Sequence, residues 1–274
     1  MGLLIVDESK CNQDGICARE CPMAIIRIKE NETYPQLVPG GEQSCLICGH
    51  CVAVCPHGAM SHAQVPIEDC PPIDKKLAIN EAQAIQFLRS RRSIRLYKGQ
   101  PVEREKIQKL IEIARYAPTA SNTQLVEWQV YTDKAKIKEI VRLSVEWMRS
   151  EIKKDPQVAR ASYMPLIVAA WDAGIDALLR NTPVLIVASA PKEHSNGMVD
   201  ITLALSYLEL AAAPLGLGTC WAGLLQGVLL SWQPLREALG IPVKHSHHYP
   251  MMLGYPMFKY RRLPARKAPK ITWN

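Results

Sequence analysis

The spacing of cysteines in the first quarter of the chain restricts its fold more than any other feature. Four cysteines form the motif C-x2-C-x2-C-x3-C-P. They are Cys45, Cys48, Cys51 and Cys55. This is the bacterial iron–sulfur spacing, in which three thiolates of a tight loop bind one cubane and the fourth serves a neighbouring cluster. Zinc is the alternative, but structural zinc sites generally use two separated pairs of ligands. We therefore expect iron–sulfur clusters.

A second motif lies upstream and lacks one cysteine. It consists of Cys11, Cys17 and Cys21, with a proline after the last, and Asp14 stands where another cysteine would complete the repeat. Three explanations are open: Asp14 is a carboxylate ligand, the corner is empty and the cluster is 3Fe-4S, or Cys70 supplies a thiolate. An oxygen ligand is harder than sulfur, so it would make this cluster more labile and change its potential.

The two ends of the chain differ in composition. Residues 1–75 carry 5 basic and 10 acidic side chains, whereas the whole chain has a net charge of +7. All six tryptophans lie after residue 75, and Tyr34 is the only aromatic residue before it. A segment this small with so little apolar surface needs an internal staple. We therefore predict two domains, 1–75 and 79–274, with a proline-containing linker at about 62–78.

The first domain resembles a two-cluster bacterial ferredoxin. Besides the two cysteine motifs, the apolar run 3–6 predicts a strand, and apolar residues 23–26 follow the first Cys-Pro pair. The resemblance implies two clusters with different ligand sets. One 4Fe-4S cluster is bound by Cys21, Cys45, Cys48 and Cys51. The other is bound by Cys11, Cys17 and Cys55, with Asp14 as the candidate for its fourth iron.

The apolar pattern after residue 76 predicts more helices than strands, without regular alternation of the two. The segment 198–215 is apolar nearly all round, so we expect it to be buried in the core or against a second subunit. The elements expected are helices at 102–115, 137–152 and 198–215 and strands at 126–131 and 183–188. This pattern is typical of an α+β fold.

Three stretches of the second domain are suited to ligand binding. Arg91–Tyr97 is a basic cluster that could clamp an anion or form a solvated helix end. Ala117–Gln124 is a turn of amides and hydroxyls that could contact the edge of a heterocycle or serve its own backbone. Gly216–Gly223 is rich in glycine, which allows close backbone approach to a flat ligand.

In their order along the chain, these stretches resemble the FMN-dependent nitroreductase family over residues 85–274, in the branch that carries an N-terminal ferredoxin. The segments 176–183, 253–256 and 260–267 contribute to the resemblance. It implies a nitroreductase-like α+β sandwich and an intertwined homodimer with FMN at the interface. The cofactor-binding residues that it implies are Arg91, Arg92, Ser93 and Arg95 for the phosphate and ring, Asn122 for the pyrimidine edge, Leu217 and Gly218 facing the isoalloxazine, and Arg266 and Lys267 for the phosphate.

The resemblance also implies a function. Electrons would enter at the clusters one at a time, FMN would collect two, and a small organic acceptor such as a nitro, quinone or activated-alkene compound would receive them. A ferredoxin-type redox partner is expected rather than, or in addition to, NAD(P)H, because the attached ferredoxin offers another entry for electrons. The chain contains neither a G-x-G-x-x-G nor a P-loop fingerprint, so neither a Rossmann dinucleotide site nor a P-loop is predicted. The acceptor pocket is expected within 151–171. The alternatives are an electron-transfer module and a flavin redox sensor, and no catalytic side chain stands out.

Other classes of protein are not expected. No apolar run reaches the roughly 18 residues that span a bilayer, and the N-terminus lacks the basic region of a signal peptide. A cytoplasmic protein is therefore predicted. The arginines of the basic half lie in the anion-binding stretches without interleaved aromatic platforms, which argues against nucleic-acid binding.

Overall fold

A computed structural model describes residues 2–28, 33–155, 157 and 162–274. Contacts divide them into two compact units. The first comprises the chain up to Ile79 together with Ser121–Thr123, and the second comprises Asn80–Ala120 and Gln124–Asn274. Every helix in this part of the chain is too short or too polar to cross a membrane.

The first unit contains two small antiparallel sheets and two short helices. The helices each follow a glycine in the left-handed region, Gly15 with φ 67° and Gly49 with φ 70°. Sheet pairing joins β1 to β4 and β2 to β3. The elements are β1 (Leu4–Val6), α1 (Ile16–Glu20), β2 (Ile26–Arg27), β3 (Gln36–Leu37), α2 (His50–Ala53) and β4 (Met60–His62). The strand predicted at 3–6 is present as β1.

The apolar core of this unit is small and includes cysteines. Its buried members are Cys17, Ile25, Ile26, Cys51, Val52 and Met60. Two of these six side chains belong to the cysteine motifs, so the packing of the unit depends on the same residues as the expected clusters.

The region predicted as a linker, 62–78, is partly structured. His62 is the last residue of β4 and is buried, and Cys70 packs against the core of the first unit. Short 3-10 turns occupy Ile67–Asp69 and Lys75–Leu77. Residues 71–80 are all exposed, so the exposed connection begins later than the predicted one.

A four-stranded antiparallel sheet forms the centre of the second unit, in the order β5-β6-β8-β7. All seven residues of β6 are buried, because helices cover both faces of the sheet. Leu185 and Val187 point to one apolar core, and Val184 and Ile186 point to the other. The strands are β5 (Glu127–Tyr131), β6 (Val184–Ala190), β7 (Gly218–Trp221) and β8 (His247–Gly254).

Seven α-helices are described in this unit, and they pack mainly on the two faces of the sheet. They are α3 (Glu81–Ser90), α4 (Arg104–Ala114), α5 (Lys134–Lys154), α6 (Met164–Asp172), α7 (Gly197–Ala212), α8 (Gly223–Ser231) and α9 (Gln233–Ala238). Together with the antiparallel sheet they confirm the α+β class. The predicted helices and strands correspond to α4, α5, α7, β5 and β6. Helix α3 was not predicted, because none of its residues is buried.

Candidate functional site

Four cysteines of the first unit surround one cavity, here called the Cys45 cavity. Its sulfur-bearing residues are Cys21, Cys45, Cys48 and Cys51, and His62 also lines it. The loop before α2 carries two of them, α2 carries Cys51, and Cys21 follows α1 in the other motif. The structure thus brings together the set that the resemblance to a two-cluster ferredoxin implies for one cluster.

Three cysteines and an aspartate surround a second cavity, here called the Cys11 cavity. Cys11, Cys17 and Cys55 line it together with Asp14. Cys70 is absent from the described lining of both cavities. The Asp14 carboxylate, and not the Cys70 thiol, is thus among the described side chains that line the Cys11 cavity.

The Asp14 carboxylate is held by local contacts. Its Oδ1 accepts a hydrogen bond from the Ile16 N–H at 3.0 Å, and its Oδ2 lies 3.7 Å from His57 Nε2. The same imidazole nitrogen is 3.1 Å from Asn12 Nδ2. These contacts fix the side chain at the edge of the Cys11 cavity.

The cysteines of the two motifs stand around the two cavities. Among the residues that the structure describes, no group of three or more His, Cys, Asp or Glu side chains converges on one metal position. All nine cysteines are free thiols. In a cubane each iron takes one thiolate, so the ligands stand around the cluster. Burial raises the pKa of the Cys51 thiol to about 11, so loss of its proton would accompany metal binding.

In the second unit, the basic segment Arg91–Tyr97 runs beside the edge strand β7. The Ile94 N–H donates to the Thr219 carbonyl at 2.7 Å. The segment is not helical, and in an extended chain consecutive side chains point to opposite sides. The side chains of its odd-numbered residues therefore contact different groups from those of its even-numbered residues.

The odd-numbered side chains lie near Cys220 and Trp221. Arg91 Nη1 donates to Glu209 Oε1 at 2.9 Å, and Trp221 Nε1 donates to the other carboxylate oxygen at 3.0 Å. The Cys220 thiol donates to the Trp221 carbonyl at 3.6 Å. Burial raises the pKa of that thiol, and the positive charges of Arg95 and Arg180 offset the effect only in part.

The even-numbered side chains face a cleft that Arg91 also lines. The Arg92 guanidinium lies 5.4 Å from the centre of the Tyr260 ring. Ile94 fills the space beside Gly218, where an added Cβ would come within 2.3 Å of it. Two buried polar atoms here, Arg92 Nε and Thr219 Oγ1, have no hydrogen-bond partner among the described residues. Buried polar atoms are rarely left unpaired in native proteins, so these two point to a polar ligand.

The segment thus separates two clefts. The Arg92 cleft, about 1230 Å³ with open solvent included, has aromatic and basic walls that include Phe87, Tyr255, Phe258, Tyr260, Arg91, Arg92, Lys98 and Lys259. Leu217 and Gly218 also line it. The Arg95 cleft, about 930 Å³ on the same basis, is lined by Tyr163, Arg95, Arg180, Cys220, Trp221 and Gly223 among others. The sequence-predicted cofactor residues are therefore divided between the two clefts.

Three predicted cofactor residues lie elsewhere. Asn122 belongs to the first unit, where its Nδ2 donates to the carbonyls of Leu46 and Ile47 at 3.0 Å each. Arg266 and Lys267 lie in an exposed tail without secondary structure. Part of the acceptor region expected at 151–171 lies outside the described residues, namely 156 and 158–161.

Sequence reasoning missed Glu209 and did not assign Arg180 a role. Glu209 is the buried acid that binds both Arg91 and Trp221. A signal for it was present, since a buried acidic residue in a largely apolar helix requires a partner. Arg180 gave no comparable signal, because only the fold brings it close to Cys220.

The fold and the cysteine-lined cavities define a protein in which a cluster-binding unit is joined to an α+β unit. The family model for the 4Fe-4S dicluster domain matches residues 3–56. The model for the nitroreductase family matches residues 88–255. The chain belongs to the nitroreductase family and carries an N-terminal 4Fe-4S dicluster domain.

Similar proteins include a Cr(VI) reductase of Pseudomonas sp. (strain G-1), 26% identical over 62% of this chain. The match spans 65% of that relative's length. An FMN reductase (NAD(P)H) of Bacillus subtilis (strain 168) is 28% identical over 66% of this chain and 69% of its own. The fold is similar to that of a nitroreductase with bound FMN from Bacteroides fragilis NCTC 9343. The two share 19% identity and a TM-score of 0.56 over 71% of this chain and 100% of that chain.

Proposed function

We propose that the protein is an FMN- and iron–sulfur-dependent oxidoreductase. It passes electrons from 4Fe-4S clusters through FMN to a small organic acceptor such as a nitro, quinone or activated-alkene compound. The observation that carries the proposal is the presence, in one chain, of two cysteine-lined cavities and of a basic segment with unpaired buried polar atoms. The names of the relatives, a Cr(VI) reductase and an FMN reductase, support reductase chemistry.

FMN is proposed to bind along Arg91–Tyr97. Arg91, Ser93 and Arg95 would hold its phosphate and ring, and Arg92 would contribute its side chain or backbone. The unpaired Arg92 Nε and Thr219 Oγ1 fit a ligand rich in hydrogen-bonding groups. When bound, FMN supplies the exchange between single-electron and hydride chemistry.

The side chains of this chain have two tasks around the flavin. The positive charges of Arg95 and Arg180 favour an anionic group in the Arg95 cleft. Glu209 binds Arg91 with one oxygen and Trp221 with the other, which fixes both side chains. We assign no proton donor, because no side chain in either cleft is singled out for that role.

Two clusters are proposed in the first unit. Cys21, Cys45, Cys48 and Cys51 hold one 4Fe-4S cluster. Cys11, Cys17, Cys55 and Asp14 hold the other, which becomes 3Fe-4S if the carboxylate does not bind the fourth iron. The position of Asp14 in the lining of the Cys11 cavity supports its role as a ligand.

A homodimer is proposed as the functional form. Apolar residues of the tail are exposed, including Phe258 at 65% and Trp273 at 89%. On α7, the side chains of Val199 and Tyr207 are also exposed. A second subunit would cover these surfaces, and Arg266 and Lys267 of the tail would then bind the FMN phosphate at the interface.

The test is steady-state reduction of a nitroaromatic and a quinone by protein that is purified anaerobically and has a measured iron, sulfide and flavin content. We expect faster turnover with reduced ferredoxin or dithionite than with NAD(P)H. A Cys48→Ser variant that retains FMN is the matched control and should lose the ferredoxin-driven rate. If flavin and clusters exchange electrons but no acceptor is reduced, the protein is an electron-transfer module or a redox sensor instead.

A further inference from the structure

We infer that His62 donates a hydrogen bond to the Cys45 thiolate and thereby raises the reduction potential of the cluster in the Cys45 cavity. The inference rests on the proposed cluster at this cavity. It assigns a tuning role to a residue outside the two cysteine motifs.

The geometry makes His62 a donor. Its Nε2 lies 3.5 Å from Cys45 Sγ, and the residue is 1% exposed. The Gln64 N–H donates to His62 Nδ1 at 3.0 Å, so Nδ1 carries no proton. A neutral imidazole has its single N–H on the other nitrogen. The N–H is therefore on Nε2, facing the sulfur.

The backbone holds this imidazole in place. His62 is the last residue of β4 and pairs with Leu4 of β1. Its carbonyl accepts the Val65 N–H at 3.0 Å, which closes a turn around the side chain. The Cys45 sulfur also lies 3.5 Å from the Ile47 N–H. Cys45 is thus placed to accept one main-chain and one side-chain hydrogen bond.

The other cavity has an apolar residue at the position that corresponds to His62. The two motifs are offset by a constant number of residues, which relates Cys45 to Cys11 and Cys51 to Cys17. The same offset relates His62 to Ile28, and Ile28 lines the Cys11 cavity. An isoleucine side chain cannot donate a hydrogen bond. The pseudo-symmetric positions therefore give one cluster a buried N–H donor and the other an apolar contact.

A hydrogen bond to cluster sulfur has a predictable effect. The reduced cluster carries more negative charge than the oxidised cluster, so a donor stabilises the reduced form more strongly. Its potential rises as a result.

The first test is a redox titration of the holoprotein in which EPR monitors the reduction of each cluster. We expect His62→Leu to lower the midpoint potential of one cluster by about 59 mV, a tenfold change in its reduced-to-oxidised ratio for one electron. His62→Gln retains an N–H donor and should restore part of the shift. His50→Gln is the matched control, because His50 lines the same cavity but has no described side-chain bond to sulfur. It should leave both potentials unchanged.

The second test needs no variant. Pulsed EPR of the reduced wild-type protein should detect an exchangeable proton coupled to the cluster, and labelling of histidine with ¹⁵N should identify the nitrogen that bears it. Absence of this coupling, or an unchanged potential in a His62→Leu protein of full iron content, overturns the inference. The iron and sulfide count of the wild type is a separate readout, because a count below two clusters overturns the cluster assignment itself.

Discussion

At the scale of single residues, the position that departs from a motif is the informative one. Asp14 stands where the second cysteine of the upstream motif is missing, and the structure places it among Cys11, Cys17 and Cys55. A carboxylate is a harder ligand than a thiolate and holds iron less firmly in a cluster. We therefore expect any change in cluster composition to occur at the Cys11 cavity.

The variant Asp14→Cys tests this position. We expect it to give an all-thiolate 4Fe-4S cluster that retains its iron better during air oxidation and has a different potential. Iron content and EPR of the reduced protein are the measurements. Cys70→Ser is the matched control and should change neither, since Cys70 is absent from the described lining of the cavity. Identical spectra and potentials for Asp14→Cys and the wild type would show that Asp14 is not a ligand.

Arg95 is the corresponding test of flavin binding. We expect Arg95→Ala to weaken FMN binding by about 10- to 100-fold, because a hydrogen bond to a charged group contributes roughly 1.5–3 kcal/mol. Fluorescence titration of the apoprotein with FMN measures the dissociation constant. Arg104→Ala, at the exposed start of α4, should bind FMN as the wild type does. Equal affinities of the two variants would remove Arg95 from the site.

Site residues could be predicted from the sequence when they lie close together along the chain, and not when they are far apart. The cysteines were found because their loop spacing alone is diagnostic. Glu209 and its partner Arg91 are separated by 118 residues, and only the packing of α7 beside the basic segment joins them. Residue type cannot identify such a pair from sequence alone. The division of the basic segment between two clefts was missed for the same reason.

At the scale of elements, helices and strands could be predicted where one face is buried, because apolar residues then recur at a regular spacing in the sequence. In α4, Ile107, Leu110 and Ala114 are buried, and the helix was predicted from this spacing. In α3, no residue is buried, so the sequence has no regular spacing of buried apolar residues that would predict this helix. Its start is instead fixed locally, because Asn80 and Gln83 form a capping box.

Helix α4 also provides a stability test. Leu110 is fully buried, whereas Ile113 on the same helix is 36% exposed. We expect Leu110→Ala to lower the free energy of unfolding of the second unit by about 2–5 kcal/mol, because it leaves a cavity. Ile113→Ala should cost less than about 1 kcal/mol. Denaturant unfolding followed by tryptophan fluorescence measures this unit specifically, since all six tryptophans lie in it. Equal losses would contradict the assignment of Leu110 to the core.

At the scale of the whole molecule, composition predicted that the two parts of the chain differ. The first part is acidic, poor in aromatic residues and rich in cysteine, and its described core holds only six buried apolar residues. The second part has two cores on opposite faces of one sheet. The exact end of the first unit could not be predicted, because prolines at 71 and 72 mark an extended segment but not where packing stops.

Because β6 is buried on both faces, the hydrogen-exchange rate of its main-chain amides can be used to measure ligand affinity. Its main-chain amides pair with β5 and β8 on either side, so they exchange with solvent only when the second unit opens globally. A ligand that binds only to the native state lowers the population of the open state. The decrease is proportional to the fraction of binding sites that the ligand occupies. The slowing of amide exchange in β6 with flavin concentration would therefore measure the flavin dissociation constant without any electron donor or acceptor.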